Sequence, residues 1–128
     1  MSSFTSFPKA IVLVVEDEPL LRMTAVAIVE NAGFEAIEAA NADEAIKLLE
    51  IRDDIRLVFT DIDMPPGSMN GLKLAAAVHD RWPPIAIIVA SGHRVPMTSD
   101  MPEGTVFFPK PYPEEALIAT MRQMLRAA

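Results

Sequence analysis

Four side chains in this sequence, at three separate places, could together move a phosphoryl group. Glu16-Asp17 follows the run Ile11-Val12-Leu13-Val14-Val15, Asp61 follows Leu57-Val58-Phe59-Thr60, and Lys110 follows Val106-Phe107-Phe108-Pro109. If these apolar runs are parallel strands of one sheet, three carboxylates and one ammonium meet at one edge. A carboxylate placed like Asp61 can attack phosphorus and form an acyl phosphate. An isolated anion would repel an anionic donor, so a cation is needed. Glu16 and Asp17 are suited to holding Mg²⁺, which prefers a few carboxylates, several waters and phosphate oxygens. Lys110 offers a mobile point charge to one phosphoryl oxygen. Ser91, after a fourth apolar run, offers a hydroxyl to another. Positioning and charge neutralisation are most of what phosphoryl transfer requires.

The elements that must position these residues are legible from periodicity. Ala10–Val15, Phe34–Ala39, Ile55–Thr60, Ile85–Ala90 and Thr105–Phe108 read as strands. Most of them are continuous apolar runs, as expected for strands buried on both faces. A helix starts at Pro19, a favourable first helical position. Leu20, Met23, Val26, Ala27 and Val29 follow at helical spacing, and Gly33 supplies a left-handed stop. Asn41, with Glu44 three residues on, caps a second helix carrying Ala45, Ile46, Leu48 and Leu49. Asn70 caps a third, with Leu72, Leu74, Ala75 and Val78, ending before Pro83-Pro84. Pro113, Glu114 and Glu115 open the last, which carries Leu117, Ile118, Met121, Met124 and Leu125; Arg122 and Arg126 suit the dipole of its final turns.

Strands alternating with helices predict an α/β domain: a doubly wound parallel sheet with helices on both faces. In such sheets sites form beyond the carboxyl ends of the strands. One stretch breaks the rhythm. Between Gly92 and Thr105, where a fourth helix is due, stand Pro96, Pro102 and Gly104, and few apolar residues. A regular helix does not fit there, so that helix is expected to be short or irregular.

Composition narrows the function classes. At 128 residues, half of them apolar, the chain is one domain with an adequate core. No cysteine is present, which excludes disulfides, zinc-thiolate sites and thiol chemistry. A net charge of −7 argues against direct nucleic-acid binding. The first residues do not form a signal peptide and no run is long enough to span a bilayer. The chain is therefore expected to be cytoplasmic, with residues 1–8 as a loose arm, 9–128 as the domain, and no appended output domain.

At this point a resemblance becomes specific. The segments Val14-Val15-Glu16-Asp17-Glu18-Pro19, Thr60-Asp61-Ile62-Asp63-Met64-Pro65, Asn70-Gly71, Val89-Ala90-Ser91-Gly92 and Phe107-Phe108-Pro109-Lys110-Pro111 occur in order and at compatible spacing. Together they make the chain resemble the CheY-like response-regulator receiver domains of two-component signalling, over essentially residues 9–127. The resemblance implies a five-stranded flavodoxin-like sheet of order 2-1-3-4-5. It implies that Asp61 is the phosphoacceptor, supplied by a histidine kinase or histidine phosphotransferase. Glu16, Asp17, Asp61 and the Asp63 backbone carbonyl would bind Mg²⁺. Ser91 takes the switch hydroxyl position, Phe107 the switch aromatic position, and Lys110 that of the family's lysine, with a cis bond to Pro111. Asp63 and His93 stand at positions that line the approach to the phosphate and tune it. The expected output is an altered surface for a protein effector, from a monomer or weak homodimer that is not a turnover enzyme. Two segments depart from the family pattern: the loop Pro65–Asn70 is longer than usual, and the fourth-helix region is broken by proline.

Two rival readings remain. Asp61-Ile62-Asp63 also resembles the Asp-x-Asp of haloacid-dehalogenase-type phosphatases, in which Asp63 would be a general acid; the chain is short for that fold, and Glu16-Asp17 would have no role. The other is a receiver-like binding module that works without phosphorylation. Ordinary readings stand beside the functional ones elsewhere. Phe107 could be plain core and His93 an exposed loop residue. His79 suits the end of its helix without chemistry. Met64, Met69, Met97 and Met101 could form an adaptable surface or simply pack loosely in loops.

Overall fold

The computed structural model describes residues 9–65 and 69–126. The expected loose arm, residues 1–8, lies outside the described residues, as do positions 66–68 of the long loop. The elements run β1 (Ile11–Val15), α1 (Pro19–Asn31), β2 (Glu35–Ala39), α2 (Ala42–Ile51), β3 (Ile55–Asp61), α3 (Gly71–Arg81), β4 (Ala86–Ser91), β5 (Val106–Pro109) and α4 (Glu114–Arg126). The sheet is parallel throughout, in the order β2-β1-β3-β4-β5. This is the α/β doubly wound architecture that the alternation and the resemblance imply. Among the described residues, no helix is long and apolar enough to cross a membrane.

Alternation along β1 shows how the two layers form. Leu13 and Val15 face a core shared with Ala42, Ala45 and Leu49 of α2 and Leu74, Ala75 and Val78 of α3. Val12 and Val14 face the opposite core, with Ala25, Ile28 and Val29 of α1 and Leu117, Met121 and Leu125 of α4. Successive residues of a strand point to opposite faces, so a strand covered on both sides is apolar at every position. All five β1 residues are buried.

The expected helix signals are present. Glu18 caps α1 and Pro19 takes its first position. Gly33, at φ +97°, follows the end of α1. The Asn41 side chain accepts from Glu44 N and the Asn70 side chain from Lys73 N. Glu44 reaches back to Ala40 N, one residue before the cap. Between β4 and β5 there is only one 3-10 turn, Thr98–Asp100, as the prolines require.

Several expectations need correction. Ala10, Phe34, Ile85 and Thr105 lie outside their strands, while Asp61, Ser91 and Pro109 lie inside theirs. Ladder pairing outlasts the apolar runs: Asp61 is in register with Ala90, and Ser91 with Pro109. α4 starts at Glu114, after Pro113. In α1 the buried face is Ala25, Ile28 and Val29, whereas Leu20 and Met23 are exposed. Apolar residues surround that helix, so periodicity could not select the face. Arg122 serves another helix's end: its Nε and guanidinium donate to Ala32 O, at the end of α1. Met64, Met69 and Met101 pack against the core beside α2 and α3; Met97 alone of the four is exposed.

Candidate functional site

Strand ends bring the sequence-selected residues together. β1 delivers Glu16 and Asp17, β3 ends on Asp61, β4 ends on Ser91, and β5 leads into Lys110. Because β1 and β4 flank β3, all of them meet around its carboxyl end. Ladder hydrogen bonds continue past the strands and hold this edge: Ile62 N donates to Ala90 O at 2.8 Å, and Lys110 N to Ser91 O at 2.9 Å. The Lys110-Pro111 bond is cis, as expected from the resemblance. A second cis bond, Pro83-Pro84, lies before β4, away from the strands' carboxyl ends.

The acids are unusually buried. Glu16 is 7% and Asp61 6% exposed. Lys110 Nζ lies 2.9 Å from Glu16 Oε1 and 3.0 Å from Asp61 Oδ1, so one ammonium faces two carboxylates. Burial pushes the Asp61 carboxyl up to about 6, against the pull of Lys110 and helped by the charges of Glu16 and Asp63. Burial works to lower the Lys110 ammonium, but its close contacts with the Glu16 and Asp61 carboxylates and their charges outweigh that and raise it.

Glu16, Asp17 and Asp61 each offer one carboxylate oxygen, and these three oxygens lie within 4.8 Å of one another. Asp61 Oδ1 is buried and accepts no directed hydrogen bond, although the ammonium is near. An all-oxygen donor set that includes a buried carboxylate oxygen free of directed hydrogen bonds fits a hard divalent cation. An open cleft of ≈ 270 Å³ lies over these residues, lined also by Glu18, Leu21, Asp63, Gly92 and His93.

Asp63 and Ser91 meet each other. Ser91 Oγ donates to Asp63 Oδ2 at 2.6 Å, and Arg94 Nε lies 3.2 Å from Asp63 Oδ1. His93 contributes its backbone N–H to Ser91 Oγ. Phe107 is partly buried against the core beside α2 and α3, in register with Val89 of β4.

Three contributors went unnoticed in the sequence. Arg22, one turn into α1, donates from its guanidinium to Glu16 O at 2.8 Å and to Glu38 Oε1 at 3.1 Å. It fixes the turn that carries the acids. Arg94 is the second, through Asp63. Tyr112 is the third: its ring packs edge-on against Phe59 and Phe108, directly after the Lys110-Pro111 bend. A lone arginine four residues into a helix carries no signal of its own; only the fold brings it under Glu16. Gly71, quoted above only as part of a motif, has a steric reason. A Cβ there would collide with the Asp61 carbonyl oxygen and lie 2.8 Å from Ile62 Cα.

Residues 12–122 match the family model described as the response regulator receiver domain. The sensor kinase CckA of Brucella abortus (strain 2308) is 32% identical over 120 residues, covering 91% of this chain and 12% of that protein. The chain thus spans only a small part of the length of such relatives. Among solved structures, the receiver domain of the hybrid histidine kinase CckA aligns with a TM-score of 0.73 at 28% identity, covering 90% of this chain and 98% of that one. A response regulator receiver protein from Pseudomonas putida aligns with a TM-score of 0.78 at 29% identity, covering 92% and 99%.

Proposed function

This chain belongs to the response regulator receiver domain family, and on that premise we propose that Asp61 accepts a phosphoryl group from a phosphohistidine and thereby switches a protein-interaction surface. The observation that carries the proposal is Lys110 Nζ between Glu16 and Asp61, with Asp17 beside them at the same sheet edge. An Asp61 carboxylate oxygen forms the new O–P bond while the donor's P–N bond breaks. The electron pair of that bond stays with the leaving imidazole nitrogen, and the product on Asp61 is a mixed anhydride. Glu16, Asp17 and Asp61, with the Asp63 backbone carbonyl, would hold Mg²⁺, which neutralises charge on the phosphoryl oxygens. Lys110, already at Asp61, is placed to exchange its contact with Oδ1 for one with a phosphoryl oxygen.

The donor is a histidine kinase or a histidine phosphotransferase, and the recipient of the signal is a protein. Phosphorylation biases a two-state equilibrium in which Ser91 turns toward the phosphoryl group and Phe107 repacks. The group stays on the protein between events, so the chain is a signalling component and not a turnover enzyme. The reading implies a cytoplasmic setting. The side chain of Asp63 is occupied as an acceptor from Ser91 and Arg94, which favours this reading over one with Asp63 as general acid.

Acetyl phosphate with Mg²⁺, followed by intact-mass spectrometry, tests the proposal. Wild type should gain one phosphoryl group and Asp61→Asn none. An unmodified wild type, or a label that survives Asp61→Asn, would sink it.

A further inference from the structure

Ser91 Oγ is fully engaged in this conformation. It donates to Asp63 Oδ2 at 2.6 Å and accepts the backbone N–H groups of His93 at 3.1 Å and Arg94 at 3.2 Å. A hydroxyl has one hydrogen and two lone pairs, so none of its capacity is spare. The 2.6 Å separation is that of a charge-assisted O–H···O⁻ bond, about twice as strong as a neutral one. Ser91 is 2% exposed, so water cannot readily take the place of any of the three partners.

Asp63 is held in its turn. Arg94 Nε lies 3.2 Å from Oδ1, the oxygen that Ser91 does not use. Arg94 therefore acts on Ser91 twice: directly through its backbone N–H, and through its guanidinium on Asp63. The three residues close a ring of contacts between the end of β3 and the segment after β4. Ser91 follows Ala90, the residue in register with Asp61.

We infer that Asp63 and Arg94 are positioning residues that latch the Ser91 hydroxyl away from the phosphorylation site. The inference rests on the reading of Asp61 as acceptor. To donate to a phosphoryl oxygen on Asp61, Ser91 must first give up Asp63. The strength of the Asp63 contact then sets how strongly the free protein resists the switched state.

Binding of beryllofluoride at fixed Mg²⁺, followed by the amide resonances of His93 and Arg94, tests the latch in a double-mutant cycle. Asp63→Ala should lower the beryllofluoride midpoint about tenfold, the scale of a lost charge-assisted hydrogen bond. Part of that shift comes from removing a negative charge beside an anion, and this part persists in a Ser91→Ala background. The latch part does not, so the Asp63→Ala shift should be about fivefold smaller in Ser91→Ala than in wild type. In free Asp63→Ala, the His93 and Arg94 amides should already lie toward their beryllofluoride-bound positions. Asp63→Asn keeps the shape and an acceptor oxygen, and should fall between wild type and Asp63→Ala; it gives the same reading if the alanine variant folds poorly. Equal Asp63 shifts in the two backgrounds, with wild type binding normally, overturn the latch and leave Asp61 as acceptor. A wild type that does not bind beryllofluoride overturns both.

Discussion

Lys110 Nζ stands 3.0 Å from Asp61 Oδ1, yet burial outweighs that ammonium and pushes the Asp61 carboxyl up to about 6. A raised carboxyl pKa means that the folded chain holds a proton which the unfolded chain releases. Stability therefore falls as pH rises through the window between 3.8 and about 6. Asp61→Asn removes this penalty. In EDTA near neutral pH, Asp61→Asn should be more stable than wild type by on the order of 1 kcal/mol, allowing for solvent screening. Denaturant unfolding should show that advantage shrinking as pH falls through the same window. A constant difference across the window would contradict it.

Removing the ammonium should have the opposite effect. Lys110→Met leaves Glu16 and Asp61 buried together without their shared cation. A loss of about 1–3 kcal/mol is expected in EDTA, since breaking a buried pair strands the remaining charges. Mg²⁺ should recover part of that loss, because it supplies positive charge to the same carboxylates. Thermal unfolding with and without Mg²⁺ checks this; an identical loss in both conditions would count against it.

Two glycines separate packing from backbone freedom. Gly33→Ala places a Cβ in open space at φ +97°, and should cost about 1 kcal/mol with phosphorylation rate unchanged. Gly71→Ala pushes a Cβ into the Asp61 carbonyl and the Ile62 backbone. It should cost about 1–3 kcal/mol and also slow acetyl phosphate labelling, because the acceptor's own backbone must shift. Equal labelling rates for the two variants would argue that α3 yields instead.

Arg22 joins the Glu16 carbonyl to the Glu38 carboxylate. Arg22→Ala should weaken Mg²⁺ binding about tenfold, the usual scale for residues that orient metal ligands, while stability changes by less than about 1 kcal/mol. Arg22→Lys should not restore affinity, since the two contacts need a planar fork. Titration calorimetry gives the comparison.

How far the sequence could be read depended on whether its signal was local. β1 and β4 were visible because strands buried on both faces are apolar nearly throughout, β3 because its run Leu57-Val58-Phe59 is, and the polar residues that follow those runs could be placed at one edge. The missing helix was visible because proline between Gly92 and Thr105 is a local veto. Strand ends were misread by one residue at Asp61 and Ser91, because ladder pairing is decided by the neighbouring strand. The inner face of α1 was misread because Leu20 and Met23 are as apolar as Ile28 and Val29. Arg22, Arg94 and Arg122 were misread or missed for one reason. What a guanidinium does is set by the distant atom it reaches, and spacing along the chain says nothing of that atom.

The cleft over Asp61 is lined by Glu16, Asp17, Glu18, Asp61 and Asp63, with Lys110 as its cation. Even with Arg94 paired to Asp63, the acids outnumber the cations around this opening, which disfavours the approach of anions. On the proposed reading, a divalent cation held by Glu16, Asp17 and Asp61 would ease the approach of an anionic phosphodonor. Raising the donor concentration would then not fully replace Mg²⁺, and raising Mg²⁺ up to saturation of its site should increase the labelling rate at each donor level. On that reading, metal supply as well as donor supply sets when the protein is ready to receive a signal.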